Sequence, residues 1–140
     1  IKIKGIEFSL EKNVFNQING FFNISYQKTE SEATGKELTN SPKILGNFGL
    51  DYPFLEKYVA AIENKFVGKR KNINEEYLKS YLTTDLIFTG VKVIGNLDFT
   101  LKINNIFDKE EKHVISGDYA PITSITQPGR GFHIRMDYSF

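Results

Sequence analysis

From Gly131 to the final residue the chain alternates strictly. Phe132, Ile134, Met136, Tyr138 and Phe140 are apolar or aromatic, and His133, Arg135, Asp137 and Ser139 between them are polar. A period of two is the mark of a β-strand with one apolar and one polar face. Two details are unusual. The polar face carries charges of both signs, and the pattern runs through the last residue, where a soluble sheet usually frays into a polar tail.

The same period recurs upstream. Ile6, Phe8 and Leu10 alternate with Glu7 and Ser9, after which Glu11-Lys12-Asn13 predicts a short polar turn. Gly20, Phe22, Ile24 and Tyr26 then alternate with Asn19, Phe21, Asn23, Ser25 and Gln27, and residues 28–41 read as a long polar loop. A third strand follows Pro42, with Ile44, Phe48, Leu50 and Tyr52 on one face, and Pro53 is expected to end it. The fourth sets Tyr58, Ala60, Ile62 and Phe66 opposite Glu63 and Lys65. A second polar loop runs from Gly68 to about Ser80, and the stretch INEEYLKSYL from Ile73 suggests a helical turn. Leu82, Leu86 and Phe88 face away from Thr83, Asp85 and Thr89 in a fifth strand, and residues 90–96 read as a turn. The sixth places Leu97, Phe99, Leu101 and Ile103 opposite Asp98, Thr100, Lys102 and Asn104. A long connection over 105–130 leads to the last strand.

The fold class is therefore all-β, an antiparallel meander of about seven strands. Each is roughly 9–11 residues long, the length a tilted strand needs to cross a bilayer. The connections alternate short and long, which puts every short turn at one end. Outer-membrane barrels have that asymmetry, and a soluble sandwich has no reason to sort its loops this way. Strand charges (Glu7, Glu63, Lys65, Asp85, Asp98, Lys102, Arg135, Asp137) all fall on the polar phase. A Lys or Arg on the other face near mid-bilayer would cost about 2–4 kcal/mol. Asn64 is the main polar intruder there. A half-solvated soluble sheet predicts the same alternation without the loop sorting.

Composition narrows the chemistry. The chain has 140 residues, enough for one modest domain, and a net charge of +1, which gives no nucleic-acid footprint. It has no Cys, which removes disulfides, thiolate zinc sites and thiol catalysis. No apolar run approaches the roughly 18 residues of a spanning helix. The start on IKIKGIEFSL, without Met and already inside a strand pattern, reads as a processed or excised piece of something longer. Aromatics are abundant, with 12 Phe and 7 Tyr, and Trp is absent. No nucleophile elbow or Gly-rich phosphate loop is present, so an enzyme, a cofactor and a metal site are not expected.

Four stretches carry a family resemblance: Gly5-Ile6-Glu7-Phe8, Ser41-Pro42-Lys43, Asn105-Ile106-Phe107-Asp108-Lys109, and Pro128-Gly129-Arg130 followed by alternation to Phe140. The chain resembles the C-terminal barrel portion of a TonB-dependent outer-membrane receptor. The resemblance implies that residues 1–140 are a segment, about a third, of a barrel of about 22 strands, lacking its plug domain and earlier strands. It implies an outer-membrane location in a Gram-negative bacterium and loops at 28–41, 68–80 and 105–130 facing outward. The partners implied are the lipid bilayer, the plug, a TonB-type energising protein reached through the missing N-terminal region, and the barrel assembly machinery. The expected function is import of a ferric siderophore or similar large scarce nutrient. A passive porin-type barrel and a soluble ligand-binding β-barrel are the alternatives. Alone, the segment is expected to be neither a transporter nor stably soluble, because both sheet edges are open.

Candidate residues follow. Tyr119, Arg130, His133, Lys69 and Arg70 are ligand-contact candidates in loops or lumen, each set against loop packing or plain solvation. Lys69-Arg70-Lys71 could attract an anionic siderophore or lipopolysaccharide phosphates. Asp98, Lys102, Arg135 and Asp137 are expected to form a lumenal charge network on adjacent strands. Tyr52, Phe54, Tyr58, Tyr138 and Phe140 gather at the short-turn end as a girdle. The resemblance gives Phe132, Ile134, Met136, Tyr138 and Phe140 a further role as the assembly signal. The transported substrate is not legible here.

Overall fold

A computed structural model describes residues 1–15, 17–115 and 122–140. In chain order the strands are β1 (Lys2–Phe15), β2 (Ile18–Glu30), β3 (Ile44–Phe54), β4 (Tyr58–Val67), β5 (Arg70–Lys71), β6 (Tyr77–Leu78), β7 (Tyr81–Ile94), β8 (Leu97–Asn104), β9 (Lys112–Val114), β10 (Ser124–Thr126) and β11 (Gly131–Tyr138). No helix occurs among the described residues. Seven strands form one sheet in the order β1-β2-β3-β4-β7-β8-β11, and β5–β6 and β9–β10 are separate two-stranded hairpins. Every pairing is antiparallel. The meander and the sorting of turns to one end are as expected.

Register keeps the two faces apart from β3 to β11, whereas β1 and β2 are longer than expected and carry Lys2, Lys4, Lys12, Lys28 and Glu30 on the apolar phase, against the expectation that every strand charge falls on the other. One row across the sheet runs Gly20, Leu50, Ile62, Leu86, Ile103, Phe132. The neighbouring phase brings Glu63 opposite Asp85, Ile87 opposite Lys102, and Lys102 opposite His133. A slip by one residue in any strand would send its charges to the apolar side.

Several boundaries differ from expectation. β1 runs through Glu11-Lys12-Asn13, which pair with Phe21, Gly20 and Asn19, and its irregularity comes later, between Asn13 and Phe15. Pro53 does not end β3: it lies opposite Val59 in the last rungs before the turn, where a missing N–H removes little of the ladder. β7 extends to Ile94 through an irregular stretch after Gly90, and the reversal is only Gly95-Asn96, with Gly95 at φ 60. The expected helical turn after Ile73 is instead the β5–β6 hairpin. The Asn72 carboxamide oxygen accepts the backbone N–H of Asn74 and of Glu76, both at 2.9 Å, a local side-chain turn that outcompetes a helix start.

The packing is inverted relative to a soluble domain. Among the described residues the buried apolar side chains are Val67, Tyr81 and Val114, while Ile6, Ile134 and Met136 are 76%, 69% and 69% exposed. Along β2 the apolar phase (Phe22, Ile24, Tyr26) is exposed, and the polar phase (Asn23, Ser25, Gln27, Thr29) is half-buried or buried. A sheet crowded on its polar side and open on its apolar side is curled around the polar face, as in a barrel wall. Asn64 on the apolar face is satisfied locally: Thr84 Oγ1 donates to its carboxamide oxygen at 2.8 Å, and its Nδ2 donates to the Phe48 carbonyl at 3.4 Å. That pairing is what a polar intruder needs where water is scarce.

At the short-turn end the aromatics stack. Phe54 lies 5.7 Å from both Tyr58 and Phe88, and Phe88 lies 5.6 Å from Tyr58 and from Phe99. Tyr52 extends the group, whereas Tyr138 and Phe140 form their own edge-to-face pair at 5.2 Å.

Candidate functional site

On the polar face, Lys102 is the junction. Its Nζ lies 2.9 Å from Asp85 and 3.8 Å from Glu63. Glu63 and Asp85 sit directly opposite each other on β4 and β7. Facing like charges repel, so the ammonium from the next strand is what makes the pair tolerable. The other three residues of the expected charge network lie elsewhere. Arg135 Nε binds Asp137 at 2.8 Å along β11, and Asp98 accepts the Lys92 backbone N–H at 2.7 Å across the β7–β8 turn. Four residues are thus divided among three contacts, and Glu63 and Asp85 are the partners that reading single strands missed. His133 is exposed beside Lys102 in register.

At the long-loop end the three connections hold one another. The Asn40 N–H donates to the Lys71 carbonyl at 2.8 Å, Lys36 Nζ meets Glu75 at 2.7 Å, and the Tyr77 hydroxyl donates to Glu37 at 3.2 Å. Asn72, 1% exposed, donates to Thr123 Oγ1 at 3.2 Å, reaching the third loop. Arg70 is 3% exposed: its guanidinium donates to the Lys112 carbonyl and lies 5.2 Å over the Tyr81 ring. Arg70 was expected as an exposed attractor of anions, and its place is instead inside the loop junction. Lys71 lies over Tyr77 at 5.5 Å, whereas Lys69 is exposed.

Glu111 sits in the same junction. The Tyr81 hydroxyl donates to it at 2.9 Å, the His113 ring meets the same oxygen, and Lys65 Nζ is 4.0 Å away. Burial pushes its carboxyl up, but the hydrogen bonds from His113 and Tyr81 and the Lys65 charge outweigh this, and its pKa falls below the ordinary value. At the loop surface, the hydrogen bond and charge of Lys36 lower Glu75, and Glu75 raises Lys36 in return.

The two most specific sequence stretches prove to be one structural unit. Asn105, at φ 48 and 6% exposed, accepts the Lys109 N–H at 2.9 Å and donates to the Lys109 carbonyl at 2.8 Å, closing residues 105–109 into a ring. Asp108 then accepts the Arg130 backbone N–H at 2.8 Å. A Cβ on Gly129 would fall 2.1 Å from that Asp108 oxygen, so a larger residue there would push the carboxylate off the Arg130 N–H. Arg130 therefore contributes through its backbone, and its side chain is exposed. Phe132, Ile134, Met136 and Tyr138 line the exposed apolar face of β11. Tyr119 lies outside the described residues.

A family model described as TonB dependent receptor-like, beta-barrel, matches residues 1–106. The chain belongs to the TonB-dependent receptor barrel family. Solved structures agree on the fold. A point mutant of the ferric enterobactin receptor PfeA from Pseudomonas aeruginosa superposes with TM-score 0.81 at 22% identity, over 99% of this chain and 22% of that one. The siderophore receptor PiuA from Acinetobacter baumannii gives 0.72 at 21% identity, over 96% and 21%. The copper transporter OprC gives 0.79 at 18%, over 99% and 23%. The chain thus spans about a fifth of the length of the solved receptors that it matches. No curated protein matches it.

Proposed function

We propose that these strands are the C-terminal part of the barrel wall of an outer-membrane transporter of a Gram-negative bacterium, energised by TonB and importing a ferric siderophore. The observation that carries this reading is the inverted packing: apolar side chains exposed on the outside of the curl, and the charges of β3 to β11 gathered on the inside. A soluble ligand-binding barrel needs the opposite arrangement. A passive porin would share the faces, but family membership speaks against it. The edges β1 and β11 each have a partner on one side only, which supports further strands closing the barrel. On this reading residues 1–140 are the closing third of the barrel, and a separate plug domain fills the lumen. The Lys102–Asp85–Glu63 cluster and His133 face that plug, and the alternating residues of β11 with Phe140 are the signal read by the assembly machinery. The siderophore follows two of the structural neighbours. The copper transporter among them makes a metal-bearing cargo of another kind the second reading.

Orientation is directly testable in the full-length receptor on intact cells. The segment lacks cysteine, so single cysteines can be placed at Ala33 in the first long loop and at Glu56 in a short turn. A membrane-impermeant maleimide should label the cysteine at 33 and leave that at 56 unlabelled until the outer membrane is opened. Equal labelling of both in intact cells would overturn the reading.

A further inference from the structure

We infer that the outer end of the apolar face holds a binding groove for a phosphate-bearing lipid of the outer leaflet, with Lys69 and Lys79 as its headgroup cations. The inference rests on the membrane orientation proposed above. An open groove of about 620 Å³ lies between the ends of β3 and β4 and the β5–β6 hairpin. Its floor includes Ile44 and Phe66, both on the apolar phase, and its walls carry Lys43, Lys69 and Lys79. Gly68 lets the loop lie close over β3: its N–H donates to the Ile44 carbonyl at 2.8 Å, and a Cβ there would stand 2.9 Å from that oxygen.

The three lysines are not equivalent. Lys43 is engaged by Glu37 at 3.2 Å, which also accepts the Tyr77 hydroxyl, so the one carboxylate lining the groove is already matched by its own cation. Lys69 and Lys79 are exposed and have no acidic partner within 4.0 Å among the described residues. An apolar floor continuous with the bilayer face, beneath two unmatched ammonium groups, complements a lipid with acyl chains and an anionic head. The same rim continues sideways. Lys2, Lys4 and Lys28 share the apolar phase at the long-loop end, with Lys4 opposite Lys28 and Lys2 opposite Glu30, which pairs with Lys28 at 2.6 Å. At the other end that phase carries the aromatic cluster.

The test uses the full-length receptor in detergent micelles, titrated with bisphosphorylated hexa-acyl lipid A and followed by native mass spectrometry. The double variant Lys69→Gln/Lys79→Gln should bind about 25-fold more weakly, a factor of about five per lysine near an anionic headgroup. Lys69→Arg/Lys79→Arg should restore binding. An unchanged heat-shifted gel mobility shows that each variant is folded. Equal binding by the glutamine pair, equal binding of lipid A stripped of its phosphates, or displacement of the lipid by equimolar inorganic phosphate would each overturn the groove. A receptor that failed to insert into vesicles would overturn the membrane reading and this site together. One that inserts but binds without regard to the lysines or the phosphates would overturn the site alone.

Discussion

Single residues decide how closely the strands approach. Gly90 lies on the apolar face opposite Phe99, and a Cβ there would stand 2.5 Å from a Phe99 ring carbon and 2.7 Å from Val93 Cγ2. The ring covers the glycine and packs against Phe88 and Tyr58 at the edge of the aromatic cluster. Gly90→Ala should therefore destabilise the receptor by about 1–3 kcal/mol through overpacking. Unfolding by urea in lipid vesicles measures this, and Phe99→Leu on the alanine background should recover part of the loss. No change in the unfolding midpoint would mean that the ring moves aside freely. Gly129 beside Asp108 is a looser contact, because the neighbouring carboxylate is the free end of a side chain. In the sequence it shows only as the stretch Pro128-Gly129-Arg130, because the carboxylate beside the glycine comes from 21 positions earlier in the chain.

At the scale of elements, alternation identified all seven sheet strands, since a period of two survives whatever the strand touches. Their ends were less legible. The polar triplet Glu11-Lys12-Asn13 looks like a turn, yet it is held in β1 by its partners on β2. Residues 73–78 have helical spacing, but the Asn72 carboxamide claims the backbone donators a helix start would need. Loop contacts such as Arg70 to Lys112 join residues 42 positions apart and leave no local trace. Acid should loosen this loop junction. Glu111 has a lowered pKa in the folded protein, so its contribution is present above its unfolded value of about 4.5 and is lost as pH falls through the lower folded value. Between pH 7 and roughly pH 3.5, hydrogen-exchange protection in β9 and β10, corrected for intrinsic rates, should fall a few-fold while β3 and β4 stay protected. Protection in β9 and β10 that is independent of pH would remove Glu111 from that role.

For the whole molecule, faces and loops together carry more than any motif. A chain of 140 residues that buries so few apolar side chains cannot be stabilised by its own core, and here the apolar surface is one continuous outer face. On the proposed membrane reading, its stability is a property of bilayer and neighbouring strands as much as of the sheet. Fold class was legible in the sequence for that reason, since a wall one strand thick leaves both of its faces readable in every strand, whereas the family was legible through short stretches such as 105–109 and 128–130. The central claim is that the apolar phase meets lipid and the charged phase meets the barrel interior. Nitroxides placed one at a time along Leu97–Asn104 of the full-length receptor in vesicles measure this directly. The labels at 97, 99, 101 and 103 should relax with dissolved oxygen in the bilayer, and those at 98, 100, 102 and 104 should not. A reversed or absent alternation would contradict the account.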